Sequence, residues 1–243
     1  AFVVAGAGVA VAKHGNKAAT SNSGSADVLS ALGIGPAVDA ATAERCLNEI
    51  GICFMFAPNF HRLSPTLGKV RRGLGFPTIF NCVGPLCNPA SAPHQLIGAW
   101  CRPMAFNIGR ALFELGTKQS WVVNGDDGLD EISLAGKTTV EHVTGEQHTG
   151  FEVWPELYNL EKRPTDSCRV ETPEESAELI RRVLESKEPN TAAEQLVLID
   201  AATALIITGK AKVPTEGVEI ATESIRIGNA IRKLNQLSEA VSV

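Results

Sequence analysis

The sequence predicts an α/β fold, and three features carry that prediction. Gln95–Trp100 and Ser120–Val123 read as strands on either side of a helical pattern, Pro103–Leu115, the strand–helix–strand unit of a parallel sheet. A second such alternation runs from Val9 to Phe56, and the final third reads as helical. The 243 residues are 44% hydrophobic and 20% charged, which supports one large buried core and rules out disorder by composition.

Taken in order, Val9–Lys13 is expected as a short buried strand, followed by a polar loop, His14–Ser23. Ser25–Leu32 is expected as a helix that stops at Gly33. Asp39–Ile50 reads as a helix capped by Asp39 and ended by Gly51, with an apolar strand, Ile52–Phe56, after it. Leu63–Leu74 is a basic helix carrying Lys69, Arg71 and Arg72, and Thr78–Pro89 a buried, fixed connection. Thr138–Val143 is a further strand by its β-branched content. Thr172 and Glu175 form a capping box opening a helix to about Ser186; Ala192–Ile207 and Glu216–Leu237 are the last two helices.

The net charge is 22 − 27 = −5, against the basic excess of a general nucleic-acid binder. The longest apolar run, Ala1–Ala12, is too short to span a bilayer and lacks the basic segment of a signal peptide, so a cytoplasmic protein is expected. Six cysteines (Cys46, Cys53, Cys82, Cys87, Cys101, Cys168) show no C-x-x-C or zinc spacing and read as free thiols. Ala5–Ala10 and Gly33–Gly35 each lack the third glycine of a dinucleotide fingerprint.

Three segments could carry chemistry. Lys13–Asp27 follows a strand and precedes a helix, and holds lysine, asparagine, small hydroxyls and glycines. These parts suit phosphate oxygens, although an ordinary polar loop has the same composition. Asn124–Glu131 also follows a strand and packs four carboxylates into six residues, which suits Mg²⁺ on a phosphorylated substrate or a solvated acidic turn. Arg71 and Arg72 could grip a substrate carboxylate or form a solvated basic face. His61, His94, His142 and His148 form no cluster by spacing.

Together the segments resemble the anthranilate phosphoribosyltransferases. The resemblance rests on Lys13-His-Gly-Asn16, Ser23-Gly-Ser-Ala-Asp-Val-Leu-Ser-Ala-Leu-Gly33, Val70-Arg-Arg-Gly-Leu-Gly75 and Thr78-Ile-Phe-Asn81. It continues through Gly84-Pro-Leu86, Asn88-Pro89, Gln95-Leu-Ile-Gly98 and Gly128-Leu-Asp-Glu-Ile-Ser133, over essentially the whole chain. It implies a nucleoside-phosphorylase-like α/β domain, here 1–35 and 76–243, with residues 36–75 belonging to a small helical domain. It further implies a homodimer, no nucleic-acid or membrane partner, and a place in tryptophan biosynthesis. The implied reaction joins anthranilate to 5-phosphoribosyl-1-pyrophosphate (PRPP) with Mg²⁺ as cofactor.

By position, the resemblance assigns PRPP contacts to Lys13, His14, Gly15, Asn16, Lys17, Ala18, Ala19, Thr20, Ser21 and Ser25. It assigns anthranilate to Asn16 and Arg71, and the metal to Asp130 and Glu131; no residue is assigned as acid or base. The family's Gly-Thr-Gly-Gly-Asp loop lies upstream of the first residue, so the chain is expected to be the larger, C-terminal part of such an enzyme and inactive alone. Pro77 stands where arginine is common, and Asn124 where histidine is common. Two other readings are a silent relative that binds nucleic acid, opposed by the net charge, and a pyrimidine nucleoside phosphorylase, opposed by Arg71 and Leu129-Asp-Glu-Ile132.

Overall fold

A computed structural model of the chain describes residues 1–17, 24–36, 38–61, 64, 66, 70, 73–74 and 78–241. They fall into two compact units: Ala1–Ala90 with Val170–Ser186 and Gly228–Val243, and Ser91–Arg169 with Lys187–Ile227. Both are α/β.

The first unit is built on two parallel strands. β1 (Val11–Gly15) and β2 (Ile52–Phe56) pair from Val11 opposite Ile52 to Gly15 opposite Phe56. Residues Ile52 to Met55 are all buried, the continuous apolar run of a strand covered on both faces. Helix α3 (Ala40–Glu49) packs on β2. The Asp39 carboxylate caps it by accepting the Thr42 N–H at 2.8 Å, and Gly51, at φ +82°, turns the chain from the helix into the strand. Helix α10 (Asn229–Val241) lies against α3, β2 and α1 (Phe2–Gly6). Its Lys233 donates to the Ile50 carbonyl, and Ser238 donates to the Gly33 carbonyl at 3.1 Å. Helix α2 (Ser25–Ala31) packs against α7 (Pro173–Leu184), and two short helices, α4 (Ala57–Phe60) and α5 (Ile79–Leu86), complete the unit.

The second unit holds a four-stranded sheet in the order β3 (His94–Gly98), β4 (Gln119–Gly125), β5 (Thr138–Thr144), β6 (His148–Val153). β3 and β4 run parallel, joined by α6 (Arg102–Glu114), and the remaining pairs are antiparallel. Helix α6 packs on β4 and β5, and α8 (Ala192–Ile207) packs on β3 and β4 with α9 (Pro214–Arg226) alongside it. Gly217 makes that last pairing close, since a Cβ there would meet Ala202 at 2.9 Å. The core gathers Trp121, Val123, Ile132, Leu134, Val140, Tyr158 and Ile199. Tyr158 and Thr203 share a hydrogen bond of 2.8 Å, and burial pushes the phenol up to about 12.

Most expected elements are present, with differences at several places. β1 begins two residues late and is only half-buried, with Lys13 exposed, so the polar loop starts after Gly15. Thr78–Pro89 is not a buried connection. The Thr78 N–H donates to the Asn81 side chain at 3.0 Å at the start of α5, and none of the helix's residues is buried. Glu216–Leu237 is two helices, α9 and α10, because Gly228 sits at φ +75° between them. β6 pairs with β5 and had no expectation at all. The basic helix Leu63–Leu74 falls largely outside the described residues; Thr66, Val70, Gly73 and Leu74 are helical. None of the six cysteines is in a disulfide, and burial raises the Cys53 thiol to about 11.

Candidate active site

In the first unit, the site segment begins at the C-terminal end of β1, where α/β folds present ligands. Lys13, Asn16 and Lys17 are exposed, and His14 is half-buried. Gly15 leaves room for its neighbours: a Cβ there would lie 2.4 Å from the Ser25 hydroxyl and 3.2 Å from the Phe54 ring. The missing side chain thus seats Ser25 directly beside the strand end. The Ala26 N–H donates to the Asn16 carbonyl at 3.2 Å, tying the first turn of α2 to the same point. Asn16 folds its own amide oxygen onto the Lys17 N–H at 2.8 Å. Asn88 donates to the Ala12 carbonyl at 3.0 Å, tying the chain just past α5 to the start of β1. Ala18, Ala19, Thr20, Ser21 and Arg71 lie outside the described residues, as does Pro77.

His14 has a partner that spacing hid. His61, 47 residues on, places its Nε2 3.1 Å from the His14 Nε2, with the rings edge to face at 5.0 Å. Burial, and next the neighbouring His61, holds the His14 imidazole below its ordinary range, against the opposite pull of the Gly84 carbonyl. His142 and His148 are held within the second unit. His142 packs edge-on to Trp121 and Phe151, and His148 sits 2.7 Å from Glu141.

The lowered His14 has a consequence for stability. Below the ordinary imidazole value of 6.5 the unfolded chain binds a proton that folded His14 refuses, so stability is held above that pH and falls as pH drops through it. Thermal melts of the full-length protein should show a smaller loss of Tm between about pH 7.5 and 5.5 in His14→Gln than in the wild type. Parallel pH profiles would show that His14 is not the group responsible.

In the second unit, Asp130 and Glu131 follow β4 on a turn whose geometry is fixed from several sides. Gly128 sits at φ +85°, and Gly125 donates to the Leu129 carbonyl at 2.8 Å. The close approach is at Gly98, the last residue of β3. A Cβ there would lie 1.7 Å from the Asp130 carbonyl oxygen, so only glycine lets the turn rest on the strand end. Of the four carboxylates, three have partners within the unit. Asp126 pairs with Arg102 at 2.7 Å. Asp127 accepts the Ser133 hydroxyl at 2.8 Å and the Leu129 N–H at 3.3 Å. The mutual repulsion expected of the cluster is thus partly relieved by protein groups. Asp130 and Glu131 are exposed. Asn124 is buried and donates to the Ala99 carbonyl at 2.8 Å, bracing β3 against β4.

One site residue was missed. Asp200, on α8, accepts the Ile132 N–H at 3.2 Å and is hydrogen-bonded to the Glu131 side chain. Burial, then the nearby Glu131, pushes its carboxyl well above the usual range. The available signal was a lone charge inside the apolar run Leu196–Ile207.

Adjacent, exposed carboxylates are hard oxygen donors, and two of them leave most positions of a magnesium ion to water and substrate phosphate, the usual arrangement for that ion. The donor set fits on that ground. Among the described residues no group of three or more His, Cys, Asp or Glu side chains is placed to hold a metal by itself. No helix among them is long and apolar enough to cross a membrane.

The class of the protein is that of the glycosyl-transferring α/β proteins. The chain belongs to it: residues 1–231 match the glycosyl transferase family, a/b domain. Within that class it belongs with the anthranilate phosphoribosyltransferases. It is 44% identical to the anthranilate phosphoribosyltransferase of Nitrobacter hamburgensis over 236 residues, 97% of this chain and 69% of the relative. It superposes with a TM-score of 0.90 at 32% identity on the Saccharomyces cerevisiae enzyme in complex with PRPP and Mg, covering 99% of this chain and 68% of that one. On the same yeast enzyme in complex with 4-fluoroanthranilate the TM-score is 0.87 at 29% identity, covering 99% and 67%.

Proposed function

We propose that this chain transfers the 5-phosphoribosyl group of PRPP to the amine of anthranilate, releasing pyrophosphate, as a step of tryptophan biosynthesis. The observation that carries the reading is the Asp126–Glu131 turn. Arg102 and Ser133 engage its first two carboxylates, and the Gly98 contact presents Asp130 and Glu131 on an exposed, fixed backbone.

In this reading Lys13 and Lys17 attract the phosphates by charge, and the Gly15–Ser25 contact offers a hydroxyl and close backbone. The remaining PRPP contacts fall to His14, Asn16, Ala18, Ala19, Thr20 and Ser21. Asn16 and Arg71 orient anthranilate, Arg71 through the carboxylate. Asp130 and Glu131 would hold Mg²⁺, which supplies charge neutralisation for departing pyrophosphate when bound. The C1–O bond of the ribose breaks with its electron pair going to pyrophosphate, the amine nitrogen bonds to C1, and the nitrogen loses its proton to water. No protein nucleophile is needed, so positioning and electrostatics supply the acceleration. A homodimer in the cytoplasm, acting on small molecules rather than nucleic acid or membrane, belongs to the same reading. So does the division into an α/β domain, 1–35 and 76–243, and a helical segment, 36–75, although β2 within that segment pairs with β1.

The test is the initial rate of anthranilate consumption by the full-length protein with PRPP and Mg²⁺. Phosphoribosyl-anthranilate is the expected product. Phosphorolysis of a pyrimidine nucleoside, or salt-dependent DNA binding without turnover, would overturn the reading. Arg71→Ala should raise the anthranilate KM about tenfold or more, since a charge-assisted pair is worth roughly 1.5–3 kcal/mol. The PRPP KM should move much less; equal damage to both constants would give Arg71 a structural role instead.

A further inference from the structure

We infer that Ser133 is a positioning residue for the metal-holding pair: its hydroxyl clasps the Asp127 carboxylate and so closes the loop 127–133 beneath Asp130 and Glu131. The inference rests on the reading of Asp130 and Glu131 as metal-holding residues and adds to it the clasp that holds their loop shut.

The hydrogen bonds around Ser133 leave its hydroxyl one orientation. The Ala135 and Gly136 N–H groups donate to it at 3.0 and 3.2 Å. A serine hydroxyl has two lone pairs and one hydrogen, so with both acceptor positions used its hydrogen goes to Asp127, at 2.8 Å. The Ser133 N–H donates to the Thr138 hydroxyl at 2.8 Å, and both residues are fully buried. Thr138 opens β5 opposite Gly125 of β4, so the clasp is fixed to the sheet. The other Asp127 oxygen accepts the Leu129 N–H at 3.3 Å. Gly125 makes the room: a Cβ there would lie 2.5 Å from that oxygen and 3.1 Å from the Ser133 Cβ. The loop is thus tied at its base, Asp127 to Ser133, and the exposed stretch between them carries both carboxylates. A loop tied at its base has fewer conformations to give up when a cation joins it, and an untied loop has more.

Two serines separate positioning from mere stability. Ser133→Ala removes the clasping hydroxyl with no change of charge. Ser120→Ala makes the same chemical change near the other end of β4, where the buried hydroxyl meets that of Thr117 at 2.7 Å. Mn²⁺ alone, followed by the electron paramagnetic resonance of the free ion, reports affinity in the full-length protein without turnover, and a thermal melt reports stability separately. Both variants should lower Tm. Only Ser133→Ala should weaken Mn²⁺ binding, by about tenfold, the low end of the loss usual when support behind a metal ligand is removed. Ser120→Ala should bind within about twofold of the wild type, because it shares no partner with the loop. Asp127→Asn has one side-chain oxygen where the loop uses two, so in that background Ser133→Ala should have little further effect. Where Ser133→Ala does not fold, Ser133→Cys, whose thiol is a weak donor, takes its place. The reference is Asp130→Asn combined with Glu131→Gln. If that double variant weakens binding, then wild-type affinity in Ser133→Ala, an equal loss in Ser120→Ala, or additive losses with Asp127→Asn would overturn the inference and leave the metal reading intact. Equal Mn²⁺ binding by the wild type and the double variant would remove the metal reading, and this inference with it.

Discussion

Asp130→Asn combined with Glu131→Gln is expected to raise the Mg²⁺ needed for half-maximal rate by about a hundredfold. Each lost charge-assisted contact is worth roughly 1.5–3 kcal/mol, and about 3 kcal/mol in total corresponds to two factors of ten. The fold should survive, because both side chains are exposed and the amides are close in shape to the acids. The measurement is a magnesium titration of initial rate at saturating PRPP and anthranilate, with a thermal melt as the control. A double variant with unchanged magnesium dependence would show that the cation is held elsewhere.

The second large effect is expected at Gly98. In Gly98→Ala the new methyl would sit 1.7 Å from the Asp130 carbonyl oxygen and 2.7 Å from its carbon, both backbone atoms that cannot swing aside. Either β3 or the turn must shift. Forced overpacking against backbone costs about 2–4 kcal/mol, which lowers Tm by roughly 5–15 °C in a protein of this size. The turn is the less deeply packed of the two, so the shift should fall on Asp130 and Glu131. Activity at limiting Mg²⁺ should then drop more than activity at saturating Mg²⁺. Gly136→Ala, in the same unit with nothing within 4 Å of the added methyl, is the matched control. A Gly98→Ala protein with wild-type melting and magnesium response would mean that the contact is readily relieved.

These two predictions lean on different kinds of legibility. That carboxylates follow a strand at Asn124–Glu131 can be read locally, since β-branched and apolar residues in Gln119–Val123 end at Asn-Gly. Which of the four acids are engaged cannot be read locally. Arg102 reaches Asp126 from the start of α6, and Asp200 reaches Glu131 from α8. Both contacts depend on how helices pack across the sheet. The same holds for His14 and His61, which meet only because β1 and β2 lie side by side in parallel.

Elements with strong punctuation were legible to within a residue or two. Asp39 and Gly51 bracket α3, and Thr172 opens α7 by accepting the Glu175 N–H at 3.1 Å. The failures had physical causes. The apolar spacing of α9 carries on into α10 with no proline between them, so the left-handed Gly228 that separates them gives a weak signal. In Thr78–Pro89, Pro85 argued for a turn-rich connection, yet a helix forms there, opened by the Thr78 N–H on the Asn81 side chain. β6 contains Gly150 and Glu152 and few apolar residues, because most of its side chains are exposed; alternation therefore did not mark it.

The central claim is that Asp130 and Glu131 hold the metal that serves phosphoribosyl transfer. Its most direct test is anomalous diffraction from crystals of the full-length protein grown with Mn²⁺ and PRPP, without anthranilate. The account predicts an anomalous peak within metal–oxygen bonding distance of the Asp130 or Glu131 carboxylate, with PRPP phosphate oxygens completing the shell. A Mn²⁺ ion bound with PRPP while both carboxylates remain uncoordinated would contradict it.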